Sequence, residues 1–386
     1  MMPEGLQDGL QRAGLAEAAR GARVTVVVPD ATRPLDTPGI LEAVLADLAP
    51  GVARVTVLVG LGLHRPLTEP ERAPLADVAA RHGAQLLEHQ AMNPMALVTV
   101  CTNLGRGDRP MPAVLHHAVL DAQVRVVVGL VEPHQYAGFS GGAKGIAVGC
   151  AGHATIAGLH SLELLRDPAT RIGNLDGNRF QAMLWRIVAG LGGTFGVQVV
   201  PGAPARAFVG PLQAAYEAAV AAAREACFAP HPKRYSAVLA TVPPAKAQSF
   251  YQASRAATYI AEVPEPVVED GGAIIVEAAC PEGMGQGEGE RAFAEACLLG
   301  RDALLQTLAS GQGRIEPGAQ RAYVLARALA RFRLVLVGAQ PLPELAALGV
   351  LQAPDMAAAA ALLGLDAPPE PLGDVFRRVP RYESPP

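Results

Sequence analysis

Short β-branched runs alternate along the chain with longer stretches rich in alanine and leucine. The runs are RVTVVVPD (23–30), RVTVLVGLG (54–62), ALVTVCT (96–102), VRVVVGLV (124–131), YSAVLATV (235–242), GAIIVEAAC (272–280) and FRLVLVG (332–338). Most are apolar at consecutive positions rather than at alternate ones, which is how a strand buried on both faces of a parallel sheet is written. Stretches such as TPGILEAVLADLA and AQRAYVLARALARF carry the longer period of helices. Strand and helix in alternation predict an α/β architecture with mostly parallel or mixed sheets, covered by helices on both faces.

At 386 residues the chain exceeds what one hydrophobic core usually organises. The pattern breaks at CFAPHPKRYS, where two prolines follow a long Ala-rich helix and a new strand starts. This predicts an N-terminal α/β domain over 1–230, a C-terminal α/β domain over 235–370, and a Pro-rich tail, 371–386, that returns to the first domain.

Composition narrows the function. Half the residues are apolar, 18% are charged, and the net charge is -4. No run of lysine and arginine interleaved with aromatics is present, so nucleic acid is not an expected partner. The N-terminus lacks the uninterrupted apolar segment of a signal peptide, and glycine, proline or charge interrupts every apolar run before it could span a bilayer. A cytoplasmic protein with no membrane partner is expected. The five cysteines (Cys101, Cys150, Cys227, Cys280, Cys297) are odd in number and scattered, with no CxxC pair. Free thiols are expected, not a disulfide framework or a zinc site.

Ligands of open α/β sheets sit beyond the carboxyl ends of strands. Those positions are polar here. The first strand runs into Asp30, Thr32 and Arg33, the second into His64 and Arg65, and a later one into EPHQYAGFSGGAKG with His134, Gly141, Gly142 and Lys144. After the 235–242 strand come Tyr251, Gln252 and Arg255 at a helix start. Each feature has an ordinary reading: DATRP as a turn and helix cap, a loop histidine as a satisfied surface residue, Tyr251 as a core tyrosine. The glycine loop is not a Walker A sequence, because Ala143 precedes the lysine and Gly145 follows it. By residue chemistry alone Lys144 is suited to pairing with phosphate, to solvent, or to nucleophilic attack.

Four segments together resemble the nickel-dependent lactate racemase family: DATRP; GLHR; EPHQYAGFSGGAK with the following AGLH; and YQASR ahead of GGAIIVEAACPEGMG. In that family a histidine lies ten residues before a lysine that bonds the cofactor, and a metal-binding histidine follows sixteen later. His134, Lys144 and His160 keep both spacings. The resemblance implies two Rossmann-like α/β domains with the active site in the interdomain cleft. It implies racemisation or epimerisation of a small 2-hydroxy acid by proton-coupled hydride transfer to a nickel-pincer nucleotide, the nickel complex of pyridinium-3,5-bisthiocarboxylic acid mononucleotide.

By position, the resemblance makes Lys144 the covalent tether, with Gly141 and Gly142 clearing space for the ring, and His160 the protein ligand of nickel. His64 and His134 become the paired acid/base residues, a role for which imidazole as a side-chain type is suited. Arg33 is expected to hold the substrate carboxylate, Tyr251, Gln252 and Arg255 to close the site, and Asp30 and Thr32 to hold the phosphate or ribose of the cofactor. Proteins that build and insert the cofactor are the implied partners. The chain departs from the family at Arg255, usually lysine, at Ala143, usually arginine, and at Ala31, usually histidine. A nucleotide- or phosphate-binding protein without catalysis, or a dehydrogenase with another hydride acceptor, remain the alternatives. Two histidines speak against the first, and the absence of GxGxxG after the first strand speaks against a nicotinamide enzyme.

Overall fold

The structure is a computed structural model that describes residues 2–49, 51–105, 111–313 and 315–384. It resolves into two compact units. The first takes the described residues of Met1–Pro133, Phe139–Leu159 and Phe180–Ala226. The second takes those of His134–Gly138, His160–Arg179 and Cys227–Pro386. Two short segments thus leave the first unit in mid-sequence to join the second.

The sheet of the first unit contains β1 (Arg23–Pro29), β2 (Arg54–Gly60), β3 (Gln85–Glu88), β4 (Val124–Leu130), β5 (Thr194–Val200) and β6 (Arg206–Pro211). Their spatial order is β6-β5-β4-β1-β2-β3, parallel except for the antiparallel β5–β6 pair. β1, β2 and β4 are the most apolar runs and lie side by side at the centre, with Val26, Val57, Val126 and Val127 fully buried. Helices close over them from well-marked starts. Asp36 caps Thr37–Leu48 by accepting from the Gly39 amide at 3.1 Å, with Pro38 in the first turn. Glu69–Arg81 begins with a capping box between Thr68 and Glu71.

The second unit is built on an all-parallel sheet of β7 (Tyr235–Thr241), β8 (Val268–Glu277), β9 (Arg333–Val337), β10 (Leu351–Ala353) and β11 (Glu370–Gly373), in the order β10-β9-β8-β7-β11. Ala273, Ile275 and Val335 lie in its core. The tail contributes Val379–Tyr382, which pairs in parallel with Phe228–His231.

One predicted core strand lies elsewhere. ALVTVCT forms Leu97–Cys101, which pairs antiparallel with Ala113–His116 in a two-stranded ribbon. Val98 and Val100 are exposed there. An apolar run reports hydrophobicity and not its partner, so the run reads like a core strand until pairing is known. Conversely, β5 was not marked by a clean apolar run, because Gln198 interrupts it.

Arg125 is an internal tie of the first unit. It stands on β4, is 6% exposed, and donates to the carbonyls of Val119 (2.5 Å), Ala122 (2.6 Å), Gly192 (2.7 Å) and Leu120 (3.4 Å). Two of these are carbonyls of the short helix His117–Asp121, so the guanidinium caps a helix end from inside the sheet. Arg125→Met should destabilise the protein by about 3 kcal/mol, because buried carbonyls lose a charged donor. Urea denaturation measures this, and a change under about 0.5 kcal/mol, as at an ordinary surface site, would refute the account.

Candidate active site

The chain lays β1, β2 and β3 outward in one direction, then returns to the other side of β1 with β4. Loops leaving β1 and β4 diverge at this reversal, which is where open α/β sheets make room for ligands. Asp30 follows β1 directly, His64 lies in the loop after β2, and Glu132 follows β4. Arg33 donates to Glu132 at 3.2 Å.

Asp30 is 7% exposed. Its Oδ2 lies 2.5 Å from Nδ1 of His64, and its Oδ1 accepts from the Thr32 amide at 2.9 Å and hydroxyl at 2.5 Å. Burial by itself raises the Asp30 pKa. The hydrogen bond and charge of His64, the Thr32 hydroxyl and the Arg33 charge outweigh it and hold the carboxyl well below the usual range. An ionised carboxylate only accepts, so Nδ1 of His64 carries the proton and Nε2 of the neutral ring keeps its lone pair. The His64 side chain is 54% exposed, so that lone pair is reachable.

Lys144 opens the short helix Lys144–Ala147 and is half-buried. Gly141 and Gly142 before it have φ of +81° and +53°, a region glycine occupies without strain. A Cβ on Gly141 would lie 2.6 Å from Val131 Cγ2 and 2.7 Å from Gln198 Oε1, and one on Gly142 would lie 2.6 Å from Tyr216 Cδ2. The protein's own side chains therefore occupy the space these glycines leave. Gln198, fully buried, ties the loop to the sheet by accepting from the Gly142 amide at 2.7 Å and donating to Val127 O at 2.8 Å. Behind the lysine, a Cβ on Gly145 would lie 2.6 Å from Val127 Cγ1, and one on Gly149 3.3 Å from the Gly60 Cα. Small residues thus press the lysine helix onto the strand ends.

The second unit holds the other candidates. Nδ1 of His134 accepts from the amides of Tyr136 at 3.3 Å and Ala137 at 3.2 Å. The neutral ring of His134 therefore carries its proton on Nε2, the opposite tautomer to His64. Tyr136 stands edge-on to both His134 (5.8 Å between ring centres) and His160 (5.6 Å). Its segment is fixed by Gln135 donating to the Thr258 hydroxyl, Asn178 donating to Tyr136 O at 2.8 Å, and the Gly173 amide donating to Gly138 O at 2.9 Å.

Tyr251, Gln252 and Arg255 lie in the first turns of the helix Phe250–Ala261. Arg255 donates to Tyr259 Oη at 2.8 Å and lies over the rings of Tyr259 and Phe376. The Arg321 guanidinium lies 3.7 Å from the Tyr251 ring centre and donates to Tyr251 O at 2.8 Å. Oε1 of Gln252 is buried with no hydrogen-bond partner among the described residues.

The expected residues thus fall into two groups. Asp30, Thr32, Arg33, His64, Gly141, Gly142 and Lys144 belong to the first unit, and His134, His160, Tyr251, Gln252 and Arg255 to the second. Asp30 was expected to face a cofactor phosphate or ribose, but its carboxylate is committed to His64 and Thr32. Glu132, Gln198 and Arg321 escaped the sequence reading. Glu132 carried a usable signal, an acid at a strand end, and Gln198 another, a polar residue inside an apolar strand. Arg321 carried none.

Among the described residues no cluster of three or more His, Cys, Asp or Glu side chains is placed to hold a metal. One imidazole, such as that of His160, fits a metal whose remaining donors come with an organic group, and a half-buried lysine at a helix start fits a covalent anchor for it. The residues present therefore suit a tethered metal-organic group in kind.

Residues 2–173 match the family described as lactate racemase N-terminal domain. The lactate racemase of Lactiplantibacillus plantarum is 28% identical over 283 residues, 71% of this chain and 64% of the relative, so the chain spans somewhat under two thirds of that protein. The lactate racemase of Thermoanaerobacterium thermosaccharolyticum is 25% identical over 350 residues, 84% of this chain and 75% of the relative. In three dimensions, the lactate racemase apoprotein of T. thermosaccharolyticum matches with a TM-score of 0.82 at 22% identity, over 98% of this chain and 93% of that one. A Thermotoga maritima protein matches with a TM-score of 0.75 at 16% identity, over 99% of each chain. The structural likenesses establish the fold. Among the described residues no helix is long and apolar enough to cross a membrane.

The Asp30 network has a pH signature. A carboxyl held below its unfolded pKa stabilises the fold fully above the unfolded value, near 3.9, and loses that contribution as pH falls toward the folded one. Asp30→Asn should therefore be less stable than the parent at about pH 5, with the gap narrowing below about pH 4. Urea titrations across that range check it, and a gap that persists undiminished at about pH 3 would refute the linkage.

Proposed function

We propose that this chain, a member of the lactate racemase family, is an isomerase that racemises or epimerises a small 2-hydroxy acid, lactate or a close relative. The observation that carries the reading is the His64–Asp30 pair at the switch point of the first sheet. A buried, ionised carboxylate that fixes one tautomer and leaves Nε2 reachable is the arrangement of a general base.

Inverting a 2-hydroxy acid requires removing the hydrogen on Cα and restoring it on the opposite face. That hydrogen is too weakly acidic for an imidazole to take as a proton. A nickel-pincer nucleotide, when bound, supplies a hydride acceptor. Lys144 would tether the group through Nζ, and His160 would provide its nickel with a protein ligand. The packing of Gly145, Gly149 and Gly60 keeps the lysine backbone from shifting under that load.

The chain's own residues then manage the proton and the substrate. His64 Nε2 takes the hydroxyl proton as the carbonyl forms, and Asp30 stabilises the resulting imidazolium. On the other face His134, protonated from solvent, would return a proton to the oxygen from Nε2, and His64 would release its own to solvent. Arg33, Tyr251, Gln252 and Arg255 would line the acid, with Arg255 facing its carboxylate. Asp30 is engaged by His64 and by the amide and hydroxyl of Thr32, so the nucleotide would be met by backbone amides at the start of the following helix. Proteins that make and insert the nucleotide are the expected partners.

The test is interconversion of lactate and other single-enantiomer 2-hydroxy acids, read on a chiral column, with protein from cells that make the cofactor. The parent should carry about one nickel per chain and a mass increment lost in Lys144→Ala. His64→Ala and His134→Ala should each slow both directions by about 10²–10⁴-fold. Parent-like racemisation by either histidine variant would remove that residue from the mechanism, and a metal-free, unmodified parent that still racemises would overturn the cofactor assignment.

A further inference from the structure

Two neighbouring arginines of the second unit are paired with carboxylates. Arg327, on the helix Gln320–Leu329, pairs with Glu262 and also donates to Leu165 O. Arg331, just past that helix, pairs with Asp270 at 2.8 Å. Arg321, at the start of the same helix, is part-buried and differs. Among the described residues it has no carboxylate within ion-pair distance, and its one hydrogen bond goes from Nη1 to Tyr251 O. One face of its guanidinium is taken by the Tyr251 ring at 3.7 Å, and that ring is itself braced edge-on by Phe293. Its electrostatic neighbours are Tyr251, Arg255, Tyr136 and Tyr259, a second cation and three phenols.

We propose that Arg321, with Arg255 as its cationic neighbour, forms a carboxylate-binding site in the second unit and receives the carboxylate of the substrate acid. The assignment of that acid rests on the function proposed above. A stacked guanidinium loses little freedom on binding, and its remaining N–H groups form a fork that matches a carboxylate. Arg33, the arginine that the sequence puts forward for this task, already has its charge balanced by Glu132.

The rival account is that Arg321 only clamps Tyr251. Titration calorimetry separates the two, using lactate, propanoate, which lacks the hydroxyl, and lactamide, which lacks the charge. The parent should bind both acids and prefer lactate to lactamide. Arg321→Met should weaken both acids by about tenfold or more and leave lactamide unchanged. Arg321→Lys, which keeps the charge without the planar fork, should weaken them by a smaller factor, and it carries the test should the methionine variant not fold. The site is overturned if the parent does not prefer lactate to lactamide, if the variants bind the acids as the parent does, or if lactamide weakens in proportion. Racemisation by the same preparations tests the function separately. Acid binding lost in the variants of a parent that does not racemise would retain the site and sink the function. Racemisation with an unchanged KM in Arg321→Met would do the reverse.

Discussion

A carboxylate that is ionised and nearly out of water must be surrounded by donors, and Asp30 is such a group. Moving it from water costs several kcal/mol unless partners replace the lost hydration. The partners here are the Thr32 amide and hydroxyl and the imidazole of His64, with Arg33 contributing charge. The need is mutual. Asp30 requires the proton on Nδ1 of His64, and that requirement determines which nitrogen of the neutral ring keeps its lone pair.

The same economy of contact governs the lysine loop. Glycines 141 and 142 look, in a sequence, like space held open for a ligand. In the fold they let Gln198, Tyr216 and Val131 come close, and so convert a loop into a rigid platform. For the tether proposed at Lys144 such placement would matter, since an amine on a mobile loop would spend much of its time away from its target. A buried glutamine that both accepts from the loop and donates to β4 is what makes the platform part of the sheet.

The second unit solves a different problem, that of holding aromatic and cationic groups together. Tyr136 stands edge-on to two imidazoles, Arg321 lies flat on Tyr251, and Arg255 covers Tyr259. Phenol rings give the guanidinium groups a face to rest on without neutralising them. Arg321 is held this way by a ring and a carbonyl, with no carboxylate within ion-pair distance among the described residues.

The sequence by itself determined the α/β class, the central strands and the polar character of the residues following β1, β2 and β4, because continuous β-branched runs and the residues that end them are local facts. It also kept the spacing of His134, Lys144 and His160 in plain view. Only the tertiary structure decided that the apolar run 97–101 pairs in an outlying ribbon, that His134–Gly138 and His160–Arg179 join the second unit, and that Asp30 serves His64. It alone placed Arg321 on Tyr251, seventy positions away in the chain. The reason is physical: strand and helix preferences act over a few residues, whereas a strand's partner, a tautomer or an unbalanced charge depends on which distant atoms share its surroundings.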